Sequence, residues 1–209
     1  MIDLPTIFTY AIPIIFAITV HEAAHGYAAK YFGDLTAQYL GRITLNPLKH
    51  IDPIGTIILP ALLAPSGFIF GWAKPVPVNF SNLRNPKKNM MWVALAGPFS
   101  NLVMAIFWVF LYARVRIFPD SAINFLSEMA LVGIQINLVL MILNMLPIPP
   151  LDGGKVAVSL LPYPWSSYLE NLERYGLFII IFLLISGVLG NILDPLIYIS
   201  NSIIFTIFG

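Results

Sequence analysis

Thr19-Val20-His21-Glu22-Ala23-Ala24-His25-Gly26 is an H-E-x-x-H motif set inside an apolar run that begins almost at the N-terminus. On a helix, residues four apart share a face, so the His21 and His25 imidazoles project together and can hold one zinc ion. Glu22 lies beside them, placed to take a proton from a zinc-bound water rather than to ligate the metal. The apolar stretch from Leu4 to Val20 reaches across most of a bilayer at ~1.5 Å per residue. Three ionisable groups within five residues of such a helix are costly unless they are used. The plainer alternative is a buried polar cluster that hydrogen-bonds within a helix bundle.

Composition supports the membrane setting. Of 209 residues, 58% are hydrophobic and 10% charged, with a mean hydropathy of +0.84, whereas a soluble domain carries roughly a quarter charged residues. An integral membrane protein embedded in the lipid bilayer follows. A net charge of +1, with no basic run interleaved with aromatics, gives no sign of nucleic-acid binding. The absence of cysteine removes disulfides, thiol nucleophiles and thiolate metal sites. The start, Met1-Ile2-Asp3-Leu4-Pro5, lacks the positive region of a secretory signal peptide.

Working outward from the motif, Gly33-Asp34 with Lys30 in the last turn ends the first segment, 4–32. The motif then lies about 13 Å below that end. Small residues Ala23, Ala24, Gly26, Ala28 and Ala29 allow neighbouring helices to approach closely. Further spans are expected at 90–113, 127–146 and 175–190, with a break near Asp194-Pro195 and a short C-terminal helix over 196–208. Residues 54–70 are apolar but interrupted by Gly55, Pro60, Pro65 and Gly67, and the Pro75-Val76-Pro77-Val78 core of the following stretch, 71–79, can only be extended. Lys30, Arg42 and Lys49 precede 54–70, and Lys74, Arg84, Lys87 and Lys88 follow it. Both flanks are therefore expected on the cytoplasmic side, which makes 54–70 re-entrant or a tight hairpin. The four tryptophans, Trp72, Trp92, Trp108 and Trp165, are expected at the interface or facing lipid. The expected fold is an all-α integral membrane protein, a polytopic bundle of about four to six transmembrane or re-entrant segments with one short extended, β-like loop. All 209 residues are read as a single membrane-embedded domain.

Two histidines leave a catalytic zinc one protein ligand short. The third histidine, His50, falls in a polar loop, and the free acids near a span are Asp152 and Asp194. Asp152 follows Pro147-Ile148-Pro149-Pro150-Leu151 and precedes Gly153-Gly154, where the chain can bend inward, although Asp-Gly turn chemistry also accounts for it. Asp194 precedes a proline and reads as a helix-break residue. If Asp152 is the ligand, an even number of crossings must separate it from the lower end of the first helix. That places the N-terminus outside and the metal nearer the cytoplasm.

His21-Glu22-Ala23-Ala24-His25 in the first helix, Gly97-Pro98-Phe99-Ser100-Asn101 in a middle one, and Asn144 through Leu151-Asp152-Gly153 at the end of another resemble the site-2 protease family of intramembrane zinc metalloproteases. The similarity runs over nearly the whole chain. Asn46-Pro47-Leu48-Lys49-His50-Ile51-Asp52-Pro53 and the 74–79 stretch look like its compact bacterial branch, without PDZ or CBS domains. The resemblance implies one Zn2+ held by His21, His25 and Asp152, Glu22 as general base, and Asn144 as a residue steadying the oxyanion or the substrate backbone. It implies membrane-spanning proteins or peptides as substrates, in regulated intramembrane proteolysis or signal-peptide remnant clearance, and a bacterial inner or plasma membrane location. Asn101 reads equally as a helix–helix hydrogen bond or a site residue, and His50 and Asn79 as loop structure. The rival classes are an inactive relative that binds membrane helices and a zinc transporter or sensor. The retained Glu22 and the single polar cluster speak against them.

Overall fold

The computed structural model describes residues 4–58, 62 and 71–209. Among them the ordered elements are helical: α1 (Leu4–Tyr31), α2 (Thr36–Tyr39), α3 (Pro86–Ala113), α4 (Asp120–Asn144), α5 (Asp152–Leu160), α6 (Trp165–Ile185) and α7 (Val188–Phe208). Residues 71–79, the strap, are extended and form no regular strand among the described residues, in keeping with two prolines that fix φ and lack N–H groups. Four helical stretches are long and apolar enough to cross a membrane: Leu4–Phe32, Pro86–Ala113, Asp120–Asn144 and Val188–Phe208. The chain is a polytopic helical membrane protein.

The centre is built by α1, α3 and α4. In α1 the buried residues include Ala17, Ala23, Gly26 and Ala29, small enough that packing rather than bulk brings the helices together. A core cluster of Ala105, Trp108, Val109, Met129, Ala130, Ile134, Leu138 and Ile204 joins α3, α4 and α7. Trp108 departs from the expectation for the tryptophans: it is only 5% exposed. Gly133 on α4 makes this room, because any side-chain carbon there would overlap the indole. Trp92 and Trp165 are exposed.

The C-terminal third also differs from the expected division. The break falls at Ser186-Gly187, where Gly187 has φ of 75°, a left-handed conformation that glycine adopts without steric cost. Pro195 lies inside α7 instead of ending a helix. A proline removes one backbone hydrogen bond, which membrane helices tolerate through local adjustment and neighbouring groups. The helix long and apolar enough to cross is therefore Val188–Phe208, and α6 carries Glu170, Glu173 and Arg174 in its first half. The expectation for 54–70 lies mostly outside the described residues. Its two flanks do meet: Trp72 N–H donates to the Gly55 carbonyl at 3.1 Å and Lys74 N–H to that of His50 at 2.9 Å.

Candidate metal centre

Helix α1 presents His21 and His25 one turn apart, against α3. Gly97 on α3 faces them, and a methyl group there would overlap both imidazoles. Each ring is oriented through Nδ1. His21 Nδ1 lies 2.6 Å from Asn101 Oδ1, and His25 Nδ1 lies 2.8 Å from the Val93 carbonyl. Asn101 is itself fixed, its Nδ2 donating to the Ala17 carbonyl at 3.2 Å and to Asn137 Oδ1 at 2.9 Å. Asn137 in turn donates to the Gly133 carbonyl at 2.8 Å. Oxygens opposite both Nδ1 atoms require the protons there, which leaves both Nε2 lone pairs free to ligate.

The third group arrives from α5. The turn after α4 folds back and starts α5 at Asp152, where the helix N-terminus favours a carboxylate. Asp152 Oδ2 stands 3.3 Å from His21 Nε2 and 3.1 Å from His25 Nε2, and the two Nε2 atoms are 3.0 Å apart. The three side chains are 9%, 12% and 7% exposed. Oδ2 is buried with no hydrogen-bond donor among the described residues. Three lone-pair donors thus converge in a nearly dry place, an arrangement that repels itself unless a cation sits among them. Donors around a tetrahedral Zn2+ with bonds of ~2.0–2.1 Å lie roughly 3.3 Å apart, so the residues present fit that ion in spacing and in chemistry.

Glu22 and Asn144 complete the surroundings. Both line a cavity of about 320 Å3 together with the two histidines, Asp152 and Lys155. Glu22 Oε2 accepts the Val76 N–H of the strap at 2.7 Å. Asn144 Nδ2 donates to the Leu140 carbonyl at 2.9 Å, and its second hydrogen remains for another acceptor. Lys155 Nζ stands 3.6 Å from Asp152 Oδ1, the oxygen turned away from the histidines.

Asp194 lies exposed on α7, outside the cluster. His50 is buried in the connector, with Nε2 against the Thr44 carbonyl at 3.0 Å. Asn79 caps a short turn, accepting the Ser81 N–H at 3.1 Å. Asn101 is both a helix–helix tie and the orienting partner of His21. Sequence reasoning passed over Asn137, although a lone amide in the apolar run Ile136-Asn137-Leu138 is a signal in a membrane helix. It also read Asp34 only as part of a helix stop. Asp34 is fully buried and binds Asn79, Thr36 and Asn82. Burial works against its charge, and the hydrogen bonds from Thr36, Asn82 and Asn79 overcome this and hold its carboxyl below the usual range.

The family model described as Peptidase family M50 matches residues 115–186. Over 202 residues, covering 95% of this chain and 90% of the relative, the sequence is 36% identical to YwhC of Bacillus subtilis, a protein assigned as a zinc metalloprotease. The chain belongs to peptidase family M50, the site-2 proteases. Two further relatives carry the same assignment. Rip2 of Mycolicibacterium smegmatis is 34% identical over 87% of this chain and 68% of its own length. MJ0611 of Methanocaldococcus jannaschii is 36% identical over 70% of this chain and 66% of its own length. No solved structure matches the chain significantly.

Proposed function

We propose that this chain is an intramembrane zinc endopeptidase that cuts membrane-spanning proteins or peptides within or near their transmembrane segments. The observation that carries the reading is the convergence of His21 Nε2, His25 Nε2 and the donorless Asp152 Oδ2, all within 4.8 Å of one another, beside the Glu22 carboxylate. One zinc per chain would be held by these three atoms, and the family membership supports that choice of metal. When bound, zinc supplies Lewis acidity, which brings the pKa of a ligated water towards neutrality and polarises a peptide carbonyl.

The remaining chemistry belongs to this chain's side chains. Glu22 accepts the proton of the attacking water on its free oxygen and later delivers it to the leaving amine. Asn144 offers its second Nδ2 hydrogen to the carbonyl oxygen as charge develops there. Asn101 and the Val93 carbonyl hold the imidazoles in the tautomer that ligates. A substrate helix hides its carbonyls in its own hydrogen bonds and must unwind before attack. The strap beside Glu22 is extended, and it can receive the unwound segment by strand addition.

For topology, the reading places the N-terminus outside and the zinc site nearer the cytoplasmic face of a bacterial inner or plasma membrane. The pairing of Gly55 with Trp72 and His50 with Lys74 supports the same-side placement of the two flanks, since a single crossing would set them ~30 Å apart; the excess of basic residues in those flanks is what assigns that side to the cytoplasm. Entry and exit on one side leave α3 and α4 as the two crossings between His25 and Asp152.

Metal removal tests the reading. Protein stripped by a chelator in detergent should lose cleavage of a transmembrane peptide and regain it with one equivalent of Zn2+. Cleavage that persists after metal analysis shows no zinc would reject it.

A further inference from the structure

The strap lies over Glu22, yet the groups that keep it there belong to the connector after α1, away from the proposed zinc ligands. Toward its start, Trp72 N–H donates to the Gly55 carbonyl at 3.1 Å and Lys74 N–H to the His50 carbonyl at 2.9 Å, and Arg42 Nη2 donates to the carbonyls of Lys74 and Pro75 at 3.0 and 3.2 Å. At its end, Asn79 N–H donates to Asp34 Oδ2 at 2.8 Å. Asp34 Oδ1 is occupied separately, by Thr36 N–H at 3.0 Å, the Thr36 hydroxyl at 2.5 Å and Asn82 Nδ2 at 3.0 Å. Oδ1 thus ties Asp34 both to Thr36 in the connector and to Asn82 just past the strap, and Oδ2 grips the strap itself at Asn79. Both are free to act as strong acceptors because the group is anionic.

Between the anchors the strap is stiff. Pro75 and Pro77 fix φ and carry no N–H, so within Pro75-Val76-Pro77-Val78 only the two valines can donate. Val76 spends its N–H on Glu22 Oε2 at 2.7 Å. Only Pro77 and Val78 separate Val76 from Asn79, a span of roughly 10 Å in extended chain, too short and too rigid to absorb movement at the Asn79 end.

We propose that Asp34 is a positioning residue for the catalytic base: by anchoring the Asn79 end of the strap, it keeps the Val76 N–H on Glu22 and fixes that carboxylate relative to His21, His25 and Asp152. The statement about catalysis rests on Glu22 acting as the base; the statement about the anchor stands without it.

Asp34→Asn in the full-length protein isolates the effect. Asparagine keeps the volume and one acceptor oxygen, but its amide nitrogen cannot accept a second set of donors. Three readouts are taken on the detergent-purified protein: zinc content, hydrogen exchange across 74–79, and kcat and KM on a transmembrane peptide. Zinc content should equal the parent's. Exchange at Val76 and Asn79 should quicken at least ~10-fold, and kcat should fall on the order of 10- to 100-fold, the effect of a small misplacement of a reacting group. Arg42→Gln releases the other anchor at a half-buried side chain, and it should likewise quicken exchange at Val76 and lower kcat if the Asp34 variant does not accumulate. Unchanged exchange at Val76 overturns the anchor, even if the variant is less stable or less active. Faster exchange with unchanged kcat overturns the link to the base. A parent protein that binds zinc but cuts nothing counts against the protease reading, while the exchange measurement still decides the anchor.

Discussion

Replacing Glu22 by Gln should lower kcat by about 10²–10⁴-fold, the usual contribution of a positioned general base, while zinc stays bound. Glutamine matches glutamate in shape, and its side-chain carbonyl can still accept the Val76 N–H that Glu22 Oε2 accepts at 2.7 Å. It cannot take a proton from water. None of the three converging metal donors is touched, so zinc content should match the parent's. Progress curves on a transmembrane peptide, taken beside metal analysis of the same preparation, separate lost chemistry from a lost site. Undiminished kcat at full zinc occupancy would remove Glu22 from the base role. Loss of zinc would mean that Glu22 contributes to the metal site itself.

Asp152→Ala should act one step earlier, by emptying the site. Two imidazoles remain, and a catalytic zinc normally keeps three protein ligands. The loss of zinc affinity should exceed the roughly 10–100-fold that follows loss of an outer-shell partner. The variant also leaves Lys155, which stands 3.6 Å from Asp152 Oδ1, without its carboxylate. Asp152→Asn keeps the shape and one oxygen but gives up the charge, and it should retain more zinc than the alanine variant. Equilibrium dialysis against a zinc buffer followed by metal analysis measures both. Zinc affinity equal to the parent's in Asp152→Ala would take Asp152 out of the coordination set.

What the sequence made legible follows from how local each signal is. The histidine pair and Glu22 lie within five residues, so periodicity alone set the two imidazoles on one face with Glu22 beside them. The apolar runs carried α1, α3 and α4 in the same way. Asp152 could be nominated because few acids lie near a span, and the structure brings it to the histidines across more than a hundred residues of chain. Partnerships that depend on register between distant elements were not readable. His21 meets Asn101 80 positions away, and Val76 meets Glu22 at a separation of 54. Neither spacing has a period or motif to betray it. Asp34 does stand at the helix end as the sequence indicates, but an Asp after Gly33 is so common there that its buried contacts leave no separate mark. The break in the last apolar region was misplaced for a related reason. Pro195 is a strong breaker in water, but within a long apolar helix it is tolerated, and the glycine eight positions earlier turns the chain instead.

The central claim is that the chain cuts peptide bonds of membrane-spanning segments with zinc held by His21, His25 and Asp152 and with Glu22 as base. Its most direct test is mass-spectrometric mapping of products from membrane-spanning peptides reconstituted in liposomes with the zinc-loaded protein, run in parallel with Glu22→Gln. The account predicts cuts within or at the edge of the apolar segment, present with the parent and absent with the variant. Cuts confined to soluble flanking sequence, or an identical product map from both proteins, would contradict it.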